Sequence, residues 1–289
     1  MTEICLGFKA FDAHELLCHF VAQQAGLYEK FDVQVKLLDT NFMPPESLPD
    51  NCFQVACGAA LSGWLQGAAL KVVLVTTDKP LFWLYSRSEI TEITGLADRR
   101  IANYPTNAPP ANLLQAILTQ DGLQGEQLRI EAARDDVARL GLLMSGDVAA
   151  AVISSAMPVE LVASKGFQQL IFFADRLRVP TTGLAVTDSL LRTAPEKVAL
   201  IVNIFRQSLS LIQSDTELVQ QVLIKYFNIP DRFVAASAGL FKSCFSQTGI
   251  SSDGVIADAI STMAYQLKID EKEWPQTNLY DFRFIKTCL

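Results

Sequence analysis

Apolar positions along the first third of the chain switch between a strand period and a helix period. Residues 3–8 form a short apolar run, and residues 13–25 follow with Leu16, Leu17, Phe20 and Val21 spaced for one face of a helix. Asp12 is placed to cap that helix, with Glu15 three residues on to complete a capping box, and Gly26 to end it. Strands are predicted over 33–38, 52–56 and 71–76, with a polar, Pro-rich loop over 39–50 and a helix over 59–66. The alternation then repeats. Residues 81–85 are extended, 95–99 a short helix, 100–103 a strand and 111–120 a helix whose first turn suits Pro109 and Pro110. A strand over 128–132, a helix over 134–144, a very apolar strand over 147–153, a helix over 156–165 and a strand over 169–173 complete the second pass. The apolar strand is expected at the centre of a mostly parallel sheet. Beyond a strand over 182–187 the pattern is helical: 188–192, 195–214, 216–226, 232–245 and 253–267.

Two passes of an α/β pattern followed by helices imply an α/β fold with two Rossmann-like lobes. The extended segments 77–88 and 175–182 read as crossings between them. The expected division is lobe I from residues 1–80 plus 180–289 and an inserted lobe II from 81–179. Two crossovers are expected to leave a cleft between the lobes, faced by loops at the C-terminal ends of strands, where open α/β sheets bind ligands.

Composition narrows the partners. A formal charge of -7 over 289 residues, with no Lys/Arg run longer than two, gives no footprint for nucleic acid. No stretch of 18 uninterrupted apolar residues is present, so no membrane-spanning helix is expected. Residues 1–8 read as a core strand rather than a leader, which places the protein in the cytoplasm if Met1 is native and in the periplasm if a leader was removed. Six scattered cysteines, at 5, 18, 52, 57, 244 and 288, read as buried free thiols rather than a disulfide or zinc scaffold. His-Glu-x-x-His, Gly-x-Ser-x-Gly, a P-loop and Gly-x-Gly-x-x-Gly are all missing, so no catalytic set, metal or cofactor is expected.

Candidate ligand contacts cluster after strands. Lys9, Phe11, Asp12 and His14 follow the first strand, and Thr77 and Asp78 follow another. Asn103, Tyr104, Thr106 and Asn107 offer neutral donors, acceptors and an aromatic face just ahead of a helix, and Ser154, Ser155 and Thr182 lie at further strand ends. Trp83 is a candidate stacking residue. Plainer roles stand beside these: Asp12 as a cap, His14 as an exposed first-turn residue, Ser154 or Ser155 as a cap, Trp83 as hinge packing.

The segment Ala25-Gly26-Leu27-Tyr28-Glu29-Lys30-Phe31, the step from Val55 to Ala59, the stretch 96–102, the helix and turn over 113–122 and the run Gly146-Asp147-Val148 form an ordered set. That set resembles the NMT1/THI5-like, SsuA-like group of type II periplasmic binding proteins, across most of the chain. The resemblance implies a solute-binding protein of ABC-type import, a monomer that captures a small organic molecule in an interlobe cleft and partners a permease. It also implies that Cys57, Gly58 and Ala59 contact ligand through free N–H groups, although Gly58 serves equally to permit a tight turn. The loop over 105–109, Pro-Thr-Asn-Ala-Pro, stands where the group often carries a Gly/Ser-rich, anion-friendly loop. The expected ligand is therefore planar or pyrimidine-like rather than a sulfonate or nitrate. The alternatives are a cytoplasmic pyrimidine-precursor synthase using the same cleft, with His14 facing substrate, and a ligand-sensing module.

Overall fold

A computed structural model describes residues 1–41, 43–44, 47–106 and 108–286. The chain forms two compact units, Met1–Asp78 with Val179–Leu289, and Lys79–Arg178.

Unit 1 opens with β1 (Thr2–Phe8), α1 (Ala13–Gln24), α2 (Leu27–Lys30), β2 (Val33–Asp39), β3 (Cys52–Ala56), α3 (Cys57–Leu65) and β4 (Leu70–Thr77). Unit 2 supplies β5 (Phe82–Ser86), β6 (Arg100–Asn103), α4 (Pro109–Gln120), β7 (Arg129–Ala132), α5 (Asp136–Ser145), β8 (Ala150–Ser154), α6 (Val159–Ala163) and β9 (Gln168–Phe172). The chain then returns to unit 1 with β10 (Thr182–Thr187), α7 (Asp188–Thr193), α8 (Pro195–Ser214), α9 (Thr216–Phe227), α10 (Asp231–Cys244), α11 (Asp253–Leu267) and α12 (Arg283–Lys286). None of the described helices is long and apolar enough to cross a membrane.

The unit 1 sheet has the order β2-β1-β3-β10-β4. β1 pairs in parallel with β2 and β3, whereas β10 runs antiparallel between β3 and β4. Insertion of β10 demands a glycine. A Cβ at Gly183 would lie 2.0 Å from the Leu74 carbonyl oxygen and 2.9 Å from the Cys57 sulfur. No side chain fits that approach. The free edge of β4 is covered by the C-terminal segment: the Val72 N–H donates to the Leu279 carbonyl at 2.8 Å, and the Asp281 N–H to the Val72 carbonyl at 2.9 Å. Pairing of this kind shields an edge that would otherwise template aggregation. Helix α1 packs on α8, and the Ser208 hydroxyl donates to the Cys18 carbonyl at 2.6 Å.

Unit 2 has the order β7-β6-β8-β5-β9, with β8 central as its uninterrupted burial requires. The sheets are mixed rather than mostly parallel, because β5 runs antiparallel to both of its neighbours and β10 to both of its own. Several expected bounds shift for local reasons. Pro158 delays the helix after Ser155 to Val159–Ala163, and the short helix expected over 95–99 is a 3-10 turn at Ile93–Leu96. The strand expected from 147 begins at Ala150, after Gly146 at φ 82 has ended α5.

A buried ion pair pins unit 2. The Arg139 side chain is wholly buried, with Nη2 2.5 Å from Asp136 Oδ1. Its other N–H groups donate to the carbonyls of Val152 at 2.6 Å, Ala133 at 2.8 Å and Arg134 at 2.9 Å. Asp136 in turn accepts the Ser154 N–H at 2.8 Å and the Ser154 hydroxyl at 2.5 Å. Removing one partner leaves a buried charge unpaired. Arg139→Leu is therefore expected to cost roughly 3–5 kcal/mol in urea unfolding. Arg100→Ala, which removes an exposed pair with Glu131, is expected to cost far less, because solvent screens that pair. Equal losses in the two variants would contradict this ranking.

Candidate functional site

In each unit the strand ends gather polar side chains, and burial determines what those groups can do. At the rim of unit 1, the loop after β1 turns into α1. Asp12 caps that helix, accepting the Glu15 N–H at 3.0 Å. The reciprocal half of the expected capping box does not form. Glu15 instead folds back past Asp12 to accept the Lys9 N–H at 2.7 Å. Burial pushes the Glu15 carboxyl up to about 8, and the Asp12 carboxylate adds to the shift. Near neutral pH it is a carboxylic acid, able to donate as well as accept.

His14 is buried in the first turn of α1, with Nε2 2.9 Å from the Thr181 hydroxyl oxygen. That hydroxyl also lies 3.3 Å from the Thr77 carbonyl oxygen, so His14, Thr181 and the β4 backbone form one hydrogen-bonded group. Burial lowers the His14 pKa to about 3 and keeps the ring neutral. Cys57 opens α3 beside this group. Burial raises its thiol, and Glu15, ionised at the alkaline pH where a thiol would titrate, adds to the effect, so the sulfur stays a thiol near neutral pH. The Gly58 N–H is already taken by the Thr181 carbonyl at 3.2 Å.

At the rim of unit 2, Asn103 ends β6 and Ser155 follows β8. Both are buried, and neither Asn103 Oδ1 nor Ser155 Oγ has a hydrogen-bond partner among the described residues. An unpaired buried polar atom is costly, and its usual explanation is a group that binds there. Tyr104 beside them holds the Arg139 guanidinium over its ring at 3.7 Å and meets Phe82 edge-on.

The NMT1/THI5-like family model matches residues 15–217. The chain belongs to the NMT1/THI5-like family. No curated protein matches the sequence. Among solved structures, the alkanesulfonate-binding protein SsuA from Xanthomonas axonopodis pv. citri, bound to MOPS, is similar with TM-score 0.73 and 16% identity, covering 96% of each chain. The periplasmic aliphatic sulphonate binding protein SsuA from Escherichia coli gives TM-score 0.75 at 15% identity, covering 97% of this chain and 94% of its own. The desulfurization enzyme DszB gives 0.69 at 12%, covering 98% of each. These likenesses establish the periplasmic binding protein fold.

In this NMT1/THI5-like chain the candidate residues separate by what already occupies them. The unit 1 rim brings Asp12 and His14 together with Cys57 and Gly58. Ala59 is half-buried there, and the Phe11 ring is 54% exposed against Phe8 and Phe20. His14 is a buried residue, not the exposed one of the plainer expectation. The Lys9 ammonium turns to the Thr40 carbonyl. The Thr77 hydroxyl donates to the Cys244 carbonyl at 2.7 Å, Thr182 shares a hydrogen bond with Thr76 at 2.8 Å, and Asp78 accepts from Ser251 at 3.1 Å.

Trp83 is not available for stacking on a ligand: it is 2% exposed and lies flat on Phe172, ring centroids 4.7 Å apart. The Ser154 hydroxyl is committed to Asp136 and to the Ala156 N–H. Thr106 is exposed, and Asn107 lies outside the described residues. Thr181, Glu15 and Arg139 were missed. The i, i+3 spacing of Asp136 and Arg139 was the one available signal for the last. Among the described residues no group of three or more His, Cys, Asp or Glu is arranged to hold a metal ion. Five of the cysteines are buried free thiols, and Cys288 lies outside the described residues.

The rim of unit 1 has a pH signature. Between its ordinary 4.5 and about 8, folded Glu15 keeps a proton that the unfolded chain has released, so stability falls as pH rises through that window. His14 works in the opposite sense: between 6.5 and about 3 the unfolded chain takes up a proton that the folded ring refuses, so stability falls as pH falls. His19, lowered to about 4 by burial, adds to this acid limb. Glu15→Gln is expected to flatten the decline between pH 6.5 and 8, where the slope for one proton is at most about 1.4 kcal/mol per pH unit. The acid limb should survive. An unchanged alkaline slope in urea titrations would contradict the assignment.

Proposed function

We propose that this protein is a solute-binding protein that captures a small, neutral, polar organic molecule for ABC-type import, presenting it to a membrane permease as a monomer. Family membership across residues 15–217 is the observation that carries the reading. The SsuA proteins of the same fold are sulfonate-binding proteins by name. Here the rims favour a different ligand. Glu15 is a carboxylic acid and His14 a neutral imidazole near pH 7, while Asn103 and Ser155 offer an uncharged amide and hydroxyl. Two cations close to these groups are already engaged, Lys9 by the Thr40 carbonyl and Arg139 by Asp136 and three carbonyls. A sulfonate would have to give up its hydration for neutral partners, which is unfavourable. A planar, pyrimidine-like molecule with its own donors and acceptors suits them.

The enzyme alternative has less support. Cys57 is held as a thiol by burial, and His14 stays neutral and bonded to Thr181. Neither is poised as nucleophile or base.

Native mass spectrometry of freshly purified protein tests the ligand class. A neutral, nitrogen-bearing molecule released at one per chain supports the reading, whereas a stoichiometric sulfonate contradicts it. Ser155→Ala is a sharper check. Removing an unpaired buried hydroxyl should leave thermal stability level or slightly raised while weakening the released ligand's affinity about tenfold in calorimetric titration. Undiminished affinity would remove Ser155 from the site.

A further inference from the structure

Backbone N–H groups at the rim of unit 1 are satisfied from within the chain. The Gly58 N–H is held by the Thr181 carbonyl. The loop after β1 presents a second set. There the Lys9 N–H donates to Glu15 Oε2 at 2.7 Å, and the Ala10 N–H donates to the same carboxyl. Two successive N–H groups aimed at one point form the kind of concavity that takes an anion. Here the occupant is tethered. Glu15 stands on the first turn of α1, where its own N–H is fixed by the Asp12 cap. Helix formation does not require this arrangement, because the regular partner of a glutamate three residues after the cap is the N–H of the cap residue itself. Glu15 is only half-buried, so deleting its side chain opens the concavity to solvent. The charged neighbours of the carboxyl are Asp12 and the Lys9 ammonium, which carry opposite signs, and the nearby Cys57 is uncharged near pH 7. The N–H pair is therefore the feature that decides whether an anion is held.

We propose that Glu15 is a specificity-determining residue, which bars small carboxylates from the unit 1 rim by filling, from inside the chain, the N–H donors of Lys9 and Ala10. The role is one of occupancy rather than charge. A glutamine at this position has the same length and an oxygen to accept the Lys9 N–H, so it bars an anion as well as Glu15 does. Alanine or serine is too short to reach the two donors and leaves them to an external carboxylate. The inference deepens the proposed function, on which it rests for the arrival of a solute at this rim. It names the residue by which the rim refuses anions.

The test is a titration of the full-length protein with acetate at neutral pH, following the Lys9 and Ala10 amide peaks in a nitrogen–proton correlation spectrum. Wild-type and Glu15→Gln peaks should stay still. In Glu15→Ala both peaks should move saturably at millimolar acetate, with affinity at least about tenfold above wild type. Glu15→Ser should behave like Glu15→Ala and serves if the alanine variant does not fold. Saturable movement in wild type, an equal gain in Glu15→Gln, or no gain in a folded alanine or serine variant would overturn the proposal. If neither short variant folds, wild type decides alone: the Lys9 and Ala10 amides should titrate together with the Glu15 carboxyl, near pH 8, and amides that ignore it would overturn the proposal. The readout is local to two backbone donors. A sulfonate co-purifying with wild type would contradict the proposed ligand class and leave the acetate result as found. Silent peaks in Glu15→Ala would remove this inference and leave a neutral solute standing.

Discussion

The insertion of β10 between β3 and β4 is the constraint on which unit 1 depends. It brings residues 179–289 onto a sheet begun by residues 1–78, and it works only because position 183 has no side chain to meet the Leu74 carbonyl. With Gly183 seated, Thr182 reaches Thr76, and Thr181 reaches both His14 and the Gly58 N–H. A rim that sequence order scatters over more than 160 positions becomes one hydrogen-bonded cluster. Local helix and strand preferences supply the parts, and one close backbone approach places them.

Burial then sets the electrical character of that rim. In water Glu15 would be a carboxylate at neutral pH, and His14 would take up a proton below about its ordinary 6.5. Instead desolvation moves the two pKa values in opposite directions, and both groups are neutral. Unit 2 reaches a neutral rim by another route. Its buried charges, Asp136 and Arg139, neutralise each other and hold Ser154 and Tyr104 in place, while Asn103 and Ser155 are left with unpaired polar atoms. The pair costs desolvation but orients its neighbours. The neutral rims narrow what the proposed ligand can be.

Much of this was legible in the sequence because local periodicity and caps encode it. The run of α1, from its Asp12 cap to Gly26, and the apolar β8 follow from spacing alone. What escaped depends on contacts between distant residues. Nothing local tells that Glu15 reaches back to Lys9 rather than to its own cap, or that β10 enters the sheet antiparallel. Arg139 sits in a helix whose pattern accommodates a solvated arginine, and only the fold reveals the carbonyls that surround it. Trp83 read as a possible ligand platform because alternation cannot say that Phe172 covers it. The covering segment on β4 was invisible for the same reason: it is too short and polar to register as a strand.

The central claim is that the β10 insertion buries His14 as a neutral hydrogen-bonding group. Following the His14 ring by nitrogen and proton resonances across pH 3 to 8 tests it most directly. The account predicts a ring that stays neutral down to at least about pH 4, and a titration near 3 if the fold survives. A midpoint near the ordinary 6.5 in folded protein would mean a solvated, chargeable histidine, and would contradict both the buried cluster and the neutral rim built on it.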